Sequence, residues 1–393
     1  MNMKSWSKKW LMTASVALAV STLLIQPPQT ARATTGGEPK IAQAANLLAL
    51  DDQGNVWIPA MHTITVKDNF YSKPMVKAKD LDRYVSISSS NMQFGLKADG
   101  TVWTIEEDTS DEERMNISQQ VPSMREEQFP VLKHIEHIVK AEELGAMIGI
   151  ALDATGKVWT FGAIPRWLRD SPTFNFNPET SVVNGIDHVK DFAFGSKGIT
   201  FLKDDGTVWY IDTGNRGGVD NIDIFNNIRT APAVQIKELH DIVQIRRDSA
   251  LSKDGSFWIW GYGKLANGKD YDHWRNPQSA EPAKVEKITD IVDWGNTGDH
   301  ALFVKKDGTV WQWGSFVTKV EALGKQPPTE WREFSRVAGL TDVVSVTTND
   351  SYSVGADYGS LESAIKKDGT LWRWGINPSL QIDPTPMQVE FRK

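Results

Sequence analysis

The chain has 393 residues, 16 tryptophans, no cysteine and a formal charge of −7. Without cysteine it can hold no disulfide, thiolate metal site, cysteine nucleophile or lipid-modified N-terminal cysteine. Its 50 acidic residues outnumber its 43 basic ones, which argues against nucleic acid as a partner, because phosphates demand a basic face.

The N-terminus reads as an export signal. Lys4, Lys8 and Lys9 form a basic start, residues 11–25 are apolar, and Gln26-Pro27-Pro28 ends the run. Ala31-Arg32-Ala33 has the small-x-small form of a cleavage site. The apolar run is about 15 residues, short of the roughly 20 that a spanning helix needs. Residues 1–33 are therefore expected to be a cleaved signal peptide, with a retained anchor as the alternative. They carry four bases and no acid, so cleavage takes the charge from −7 to −11. The mature protein is expected to be secreted, free of the membrane or loosely associated with the cell wall.

Residues 34–45 form a small-residue lead-in, and residues 46–393 read as one domain of repeats. Each repeat centres on a hairpin such as Lys306-Asp307-Gly308-Thr309-Val310-Trp311-Gln312-Trp313-Gly314. Asp-Gly suits the positive φ of a two-residue hairpin turn, and Val and Trp suit a buried pleated strand. Trp311 and Trp313 are two apart, so both rings point to one face. The pattern occurs seven times, with its tryptophan at 57, 103, 159, 209, 258, 311 and 372. A period near 50 residues with several strands per unit is the signature of a propeller or solenoid.

Two more strands are expected per unit. One precedes the hairpin, as in residues 135–139, 187–192, 241–245, 290–294 and 342–346. Another lies further upstream and opens on proline, as at Pro74, Pro130, Pro232 and Pro282. Proline lacks a donor and fits a strand start or an edge. Four strands per unit is the make-up of a propeller blade. The first hairpin has no upstream proline strand, whereas a spare one, Pro386-Met387-Gln388-Val389-Glu390-Phe391, follows the last. The expected fold is an all-β, seven-bladed propeller closed by pairing of the C-terminal strand with the N-terminal blade, which removes open edges.

These repeats resemble those of the regulator of chromosome condensation family. The likeness rests on the Asp-Gly turn and on Val-Trp followed by aromatic-Gly, fullest in Trp258-Ile259-Trp260-Gly261, Trp311-Gln312-Trp313-Gly314 and Trp372-Arg373-Trp374-Gly375. The upstream Gly and His of the family appear once, as Gly295 and His300. The resemblance implies a seven-bladed propeller over nearly all of residues 46–391. Eukaryotic members act on a nuclear GTPase and chromatin. An export signal and an acidic chain point away from both, toward the secreted bacterial members, one of which binds an enzyme with one face.

The seven repeat tryptophans read as core, since each aromatic buries about 150–250 Å². Candidate binding residues lie in the long segments between strands: Arg166 and Trp167; Tyr262, Tyr271, Trp274 and Arg275; Trp331 and Arg332. Trp, Tyr and Arg dominate binding hot spots, and the alternative is local packing over blade edges. The stretch 106–128 carries eight acids against two arginines. It lacks the spacing of a calcium loop, so it reads as a solvated loop, with a cation site as the alternative. The seven histidines are scattered, and no nucleophile elbow, zinc-helix or phosphate-loop motif is present. No catalytic residue, metal or cofactor is expected. The reading is a monomeric, non-catalytic protein that binds an extracellular protein through its loops. The alternatives are cell-wall or extracellular glycan binding and a glycan-active enzyme.

Overall fold

Every hairpin turn is closed by the same few bonds. In the sixth copy Gly308 N donates to Lys305 O at 2.8 Å, and Lys305 N donates to Thr309 O at 3.0 Å. The loop thus has three residues rather than the two expected. Gly308 has a φ of 77°, whereas Lys306 and Asp307 stay out of the left-handed region. Asp307 has no need of it, because its carboxylate accepts Thr309 N at 2.9 Å and Thr309 Oγ1 at 2.6 Å. The result is a type I turn completed by a left-handed glycine.

The residue six before each repeat tryptophan settles how the indole is satisfied. Asp51, Asp153 and Ser252 accept the indole N–H of Trp57, Trp159 and Trp258 at 2.9 Å. Lys97, Lys203, Lys305 and Lys366 occupy that position in the other four copies. There the indole N–H of Trp103, Trp209, Trp311 and Trp372 turns to Thr101, Thr207, Thr309 and Thr370 at 2.8–3.1 Å. The lysine ammonium lies 4.1–5.5 Å from the ring centre, a cation–π contact.

The computed structural model describes residues 38–392 except 46–47, 60–73, 90–92, 108–123, 129–131, 146–147, 163–179, 197, 214–220, 262, 268–279, 319–328, 349–360 and 377–381. The described residues form seven sheets, each built around one hairpin. Blade 1 holds β1 (Ile41–Ala45), β2 (Leu48–Asp51), β3 (Val56–Pro59) and β4 (Met75–Lys77). Blade 2 holds β5 (Tyr84–Ser89), β6 (Gln93–Lys97), β7 (Val102–Glu107) and β8 (Met124–Gln128). Blade 3 holds β9 (Ile138–Gly145), β10 (Ile148–Asp153), β11 (Val158–Gly162) and β12 (Ser181–Val182). Blade 4 holds β13 (Val189–Phe194), β14 (Gly198–Lys203), β15 (Val208–Asp212) and β16 (Val234–Gln235), with helix α1 (Asn221–Thr230) before its last strand. Blade 5 holds β17 (Ile242–Arg246), β18 (Ser249–Ser252), β19 (Phe257–Gly261) and β20 (Ala280–Lys284), with the single turn α2 (Lys264–Asn267). Blade 6 holds β21 (Ile291–Asn296), β22 (His300–Lys305), β23 (Val310–Val317) and β24 (Thr329–Arg336). Blade 7 holds β25 (Val343–Thr347), β26 (Leu361–Lys366), β27 (Leu371–Ile376) and β28 (Ile382–Gln388), and β29 (Phe391–Arg392) follows. Among the described residues no helix is long and apolar enough to cross a membrane.

Within a blade the strands run in order and antiparallel. The first strand packs against neighbouring blades and the fourth is outermost. This corrects the expected unit. The proline-led strand pairs with the hairpin before it, not the one after it. In blade 2 the outer strand is Met124–Gln128, upstream of Leu132. First strands also start later than expected, at Ile138 rather than Ile135 and at Val189 rather than Asp187. The entry is delayed by a left-handed residue, His137 (φ 56°) or His188 (φ 53°). Ile41–Ala45, expected in the lead-in, is the first strand of blade 1.

The ring closes as expected at the C-terminus, through β29. It adds to β4 as a fifth, parallel strand, with Phe391 opposite Met75. Phe391 meets the Trp57 ring edge-on at 5.2 Å. Pro386 and its neighbours belong to β28 and complete blade 7. Ile41 N donating to Gly369 O at 2.8 Å joins blades 7 and 1 a second time.

Buried polar groups staple the first strands together. Lys140 on β9 reaches Asp191 at 2.7 Å and Phe192 O at 2.6 Å on β13. Burial alone would lower its pKa, but the carboxylates of Asp191 and Glu142 outweigh it and raise it. Arg246 on β17 bonds Asp293 on β21, whose other oxygen accepts Val346 N on β25 at 2.8 Å. Burial raises the Asp293 pKa despite that arginine. Gln43 on β1 bonds both backbone groups of Ile87 on β5.

Candidate functional site

A blade has two ends. The Asp-Gly turns and the entries to the first strands occupy one. The turns from first to second strand, and the unequal segments from third to fourth, leave from the other. The first end is repetitive, whereas at the second the chain leaves and re-enters a rigid frame through segments of unequal length, the usual seat of binding. We call it the loop face.

Part of the loop face is locked across three blades. Asp248, between β17 and β18, has a φ of 44° and is buried. Its carboxylate accepts Ser196 N of blade 4 at 2.8 Å. Its carbonyl accepts Trp260 N at 2.9 Å. Further round, Gly263 lies so close to blade 6 that a Cβ there would stand 2.1 Å from Gly298 O. Lys264 N donates to Asp299 Oδ1 at 3.1 Å. Asp299 O in turn accepts Ser315 N on β23 at 2.8 Å. A series of backbone and carboxylate contacts thus runs from blade 4 to the outer hairpin of blade 6.

Trp331 stands at the end of that chain, opposite Ser315 on β24. The sequence places it in a long connecting segment. The structure corrects this: Trp331 and Arg332 are strand residues. The reason is the outer hairpin of blade 6, where β23 and β24 each run for eight residues. Trp331 is 41% exposed and is the one aromatic among the exposed large hydrophobic side chains of the described residues. Its ring meets Trp313 edge-on at 6.0 Å, and its indole N–H donates to Glu333 at 2.9 Å. Lys287 bridges the pair: it lies 4.6 Å from the Trp313 ring and 3.2 Å from Glu333. The indole hydrogen bond, then Lys287, holds the Glu333 carboxyl below the usual carboxylate range. Trp331 is therefore held in one orientation while leaving its ring open.

Arg332 points to the other side of the strand. Its guanidinium lies 4.7 Å from the Phe316 ring and donates to Gln312 Oε1 at 3.1 Å. Phe316 rests on His300 at 4.7 Å. His300 meets Glu362 of blade 7 at 2.9 Å, both buried. Sequence reasoning did not single out Lys287, Glu333 or Phe316 for this site. Only their distance from Trp331 in the folded chain marks them.

Of the other candidates, Arg166, Trp167, Tyr262, Tyr271, Trp274 and Arg275 lie outside the described residues. Their segments join β11 to β12 and β19 to β20, so both leave from the loop face. The acidic stretch is bounded by strands, since Glu106 pairs with Arg125 across β7 and β8, and residues 108–123 lie outside the described residues. Among the described residues no group of three or more His, Asp or Glu is arranged to hold a metal.

No family model matches the chain. The human E3 ubiquitin-protein ligase HERC2 is 28% identical over 199 residues, 47% of this chain and 4% of HERC2. The mitochondrial RCC1 domain-containing protein RUG3 of Arabidopsis thaliana is 27% identical over 157 residues, 36% of this chain and 32% of RUG3. The chain thus corresponds to less than a third of either relative. Yeast RCC1 (Prp20), solved bound to Kap60, superposes with a TM-score of 0.55 over 95% of this chain and 91% of its own, at 14% identity. That last likeness is one of fold. Over part of its length this chain is thus similar in sequence to proteins with RCC1 repeats, and in architecture it is a seven-bladed propeller like that of yeast RCC1.

Proposed function

We propose that this protein is an exported, non-catalytic binder that takes a protein partner on its loop face. The observation that carries the reading is Trp331, an exposed indole fixed by Trp313 and Glu333 at the rim of a face locked across blades 4–6. A pre-oriented aromatic loses little entropy on binding and suits a hot spot. Yeast RCC1, a propeller of the same architecture, was solved bound to a protein, Kap60. The export signal at residues 1–33 sets the compartment of the partner.

The test is capture from the native secreted proteome by immobilised protein. Trp331→Ala with Arg332→Ala is expected to weaken capture by about 2 kcal/mol, roughly thirtyfold. The same pair should change folding stability by about 1 kcal/mol or less. Undiminished capture by the double variant sinks the reading. Retention on purified wall glycan in place of protein would shift it to carbohydrate, and glycoside turnover would shift it to catalysis. N-terminal sequencing of the secreted form should begin at Thr34.

A further inference from the structure

A propeller leaves the outer edge of every blade unpaired, and such edges need protection. In this chain most are protected. β4 is covered by β29. β12 and β16 are two residues long. β20 carries Pro282, and β28 carries Pro384 and Pro386, which have no N–H to offer an incoming strand. β8 is five residues long, with Arg125, Glu126 and Glu127 in sequence.

β24 is different. It runs for eight residues, Thr-Glu-Trp-Arg-Glu-Phe-Ser-Arg, without proline. Among the described residues no strand lies on its outer side. Thr329, Glu330, Trp331, Glu333 and Arg336 are exposed. Its two acids and two arginines balance, so the edge carries no net charge to repel a strand.

We propose that β24 is a strand-addition site, at which an extended segment of a protein partner pairs with the outer edge of blade 6 and sets an apolar side chain against Trp331. The fold already performs this operation once. On blade 1, β29 adds outside β4 and places Phe391 on Trp57, so an outer edge of this propeller accepts a parallel strand carrying an aromatic. Blade 6 offers a longer edge and an uncovered indole. Main-chain bonds would give affinity and the Trp331 contact selectivity, the division of labour in β-augmentation. This rests on the reading of the protein as a binder and names the kind of segment it takes.

The experiment uses the full secreted protein and a phage-displayed library of random twelve-residue peptides as the probe. Selected peptides should protect the amides of residues 329–336 from hydrogen exchange. Proline is then placed singly at Glu330, Trp331, Arg332 and Glu333. Variants that keep the wild-type melting temperature are those whose N–H points away from β23, and these should bind selected peptides at least tenfold more weakly. Peptides that bind elsewhere on the loop face and leave 329–336 unprotected overturn strand addition while sparing the binding reading. Failure to select any peptide, together with undiminished capture by the Trp331 and Arg332 variant, overturns both. Protection of 329–336 that appears with rising protein concentration and no peptide would mean the edge pairs with a second copy, which also overturns the proposal.

Discussion

The turn aspartates are the most repeated chemical feature of the molecule. Asp99, Asp205 and Asp307 accept the hydroxyl and the N–H of a threonine two residues on, the hydroxyl having the larger effect. At Asp254 and Asp368 the backbone N–H has the larger effect. All five carboxyls lie below the ordinary value, which is about 3.9 in an unfolded chain. Their contribution to stability is present above that value and is lost as pH falls through the lower folded values. We predict that the melting temperature falls steeply between about pH 4 and pH 2, and that Asp→Asn at all five positions flattens this stretch of the profile. A wild-type profile that stays level there would mean that these bonds survive protonation. The Asp-Gly turn was legible in the sequence because glycine is the residue that takes positive φ freely. The indole partner was not, since nothing in the spacing shows that the residue six before the tryptophan is folded back beside its indole N–H, accepting it when an acid or serine and leaving it to threonine when a lysine.

At the scale of elements the seam is the part most open to test. Deleting Phe391–Lys393 removes β29 and the Trp57 contact while sparing β28. Phe391→Ala alone should cost about 2 kcal/mol, read from urea denaturation. Deleting 384–393 takes five of the seven residues of β28 as well and should lower the melting temperature much further. An unchanged melting curve after the shorter deletion would show that the ring holds without its fifth strand. That the tail returns to the first blade could be inferred from a spare strand at one end and a missing one at the other. Which residues make the pairing could not, because the proline strand serves the hairpin before it. Pairing partners are set by backbone register, and sequence spacing alone is symmetric between the two neighbours.

For the molecule as a whole, stability depends on contacts between first strands. Lys140 is the clearest: it is buried and holds Asp191 and Glu142 together between blades 3 and 4. We predict that Lys140→Ala destabilises by about 3 kcal/mol, because it leaves the buried Glu142 and the half-buried Asp191 without their cation. Equilibrium urea unfolding would show it, and a loss under 1 kcal/mol would mean that water or another base replaces the ammonium. Nothing in the local sequence distinguishes Lys140 from the exposed lysines of the turns. Its role follows from the packing of β9 beside β13, which brings its ammonium to Asp191 and Phe192 O of the next blade.

Repetition made the architecture readable. Seven copies of one hairpin carry the same turn geometry, with its left-handed glycine, and each copy alone cannot bury its aromatic face. Number of blades, strand class and ring closure therefore follow from the sequence itself. The candidate site is the opposite case, because it occurs once and is assembled from residues far apart in the chain. Trp331 was visible as a large residue between repeats. That it sits on the outer strand of its blade, braced by Trp313, Glu333 and Lys287, depends on the length of one outer hairpin and on the packing of blade 5 against blade 6. Those are consequences of distance in the folded chain, which only the tertiary structure decides.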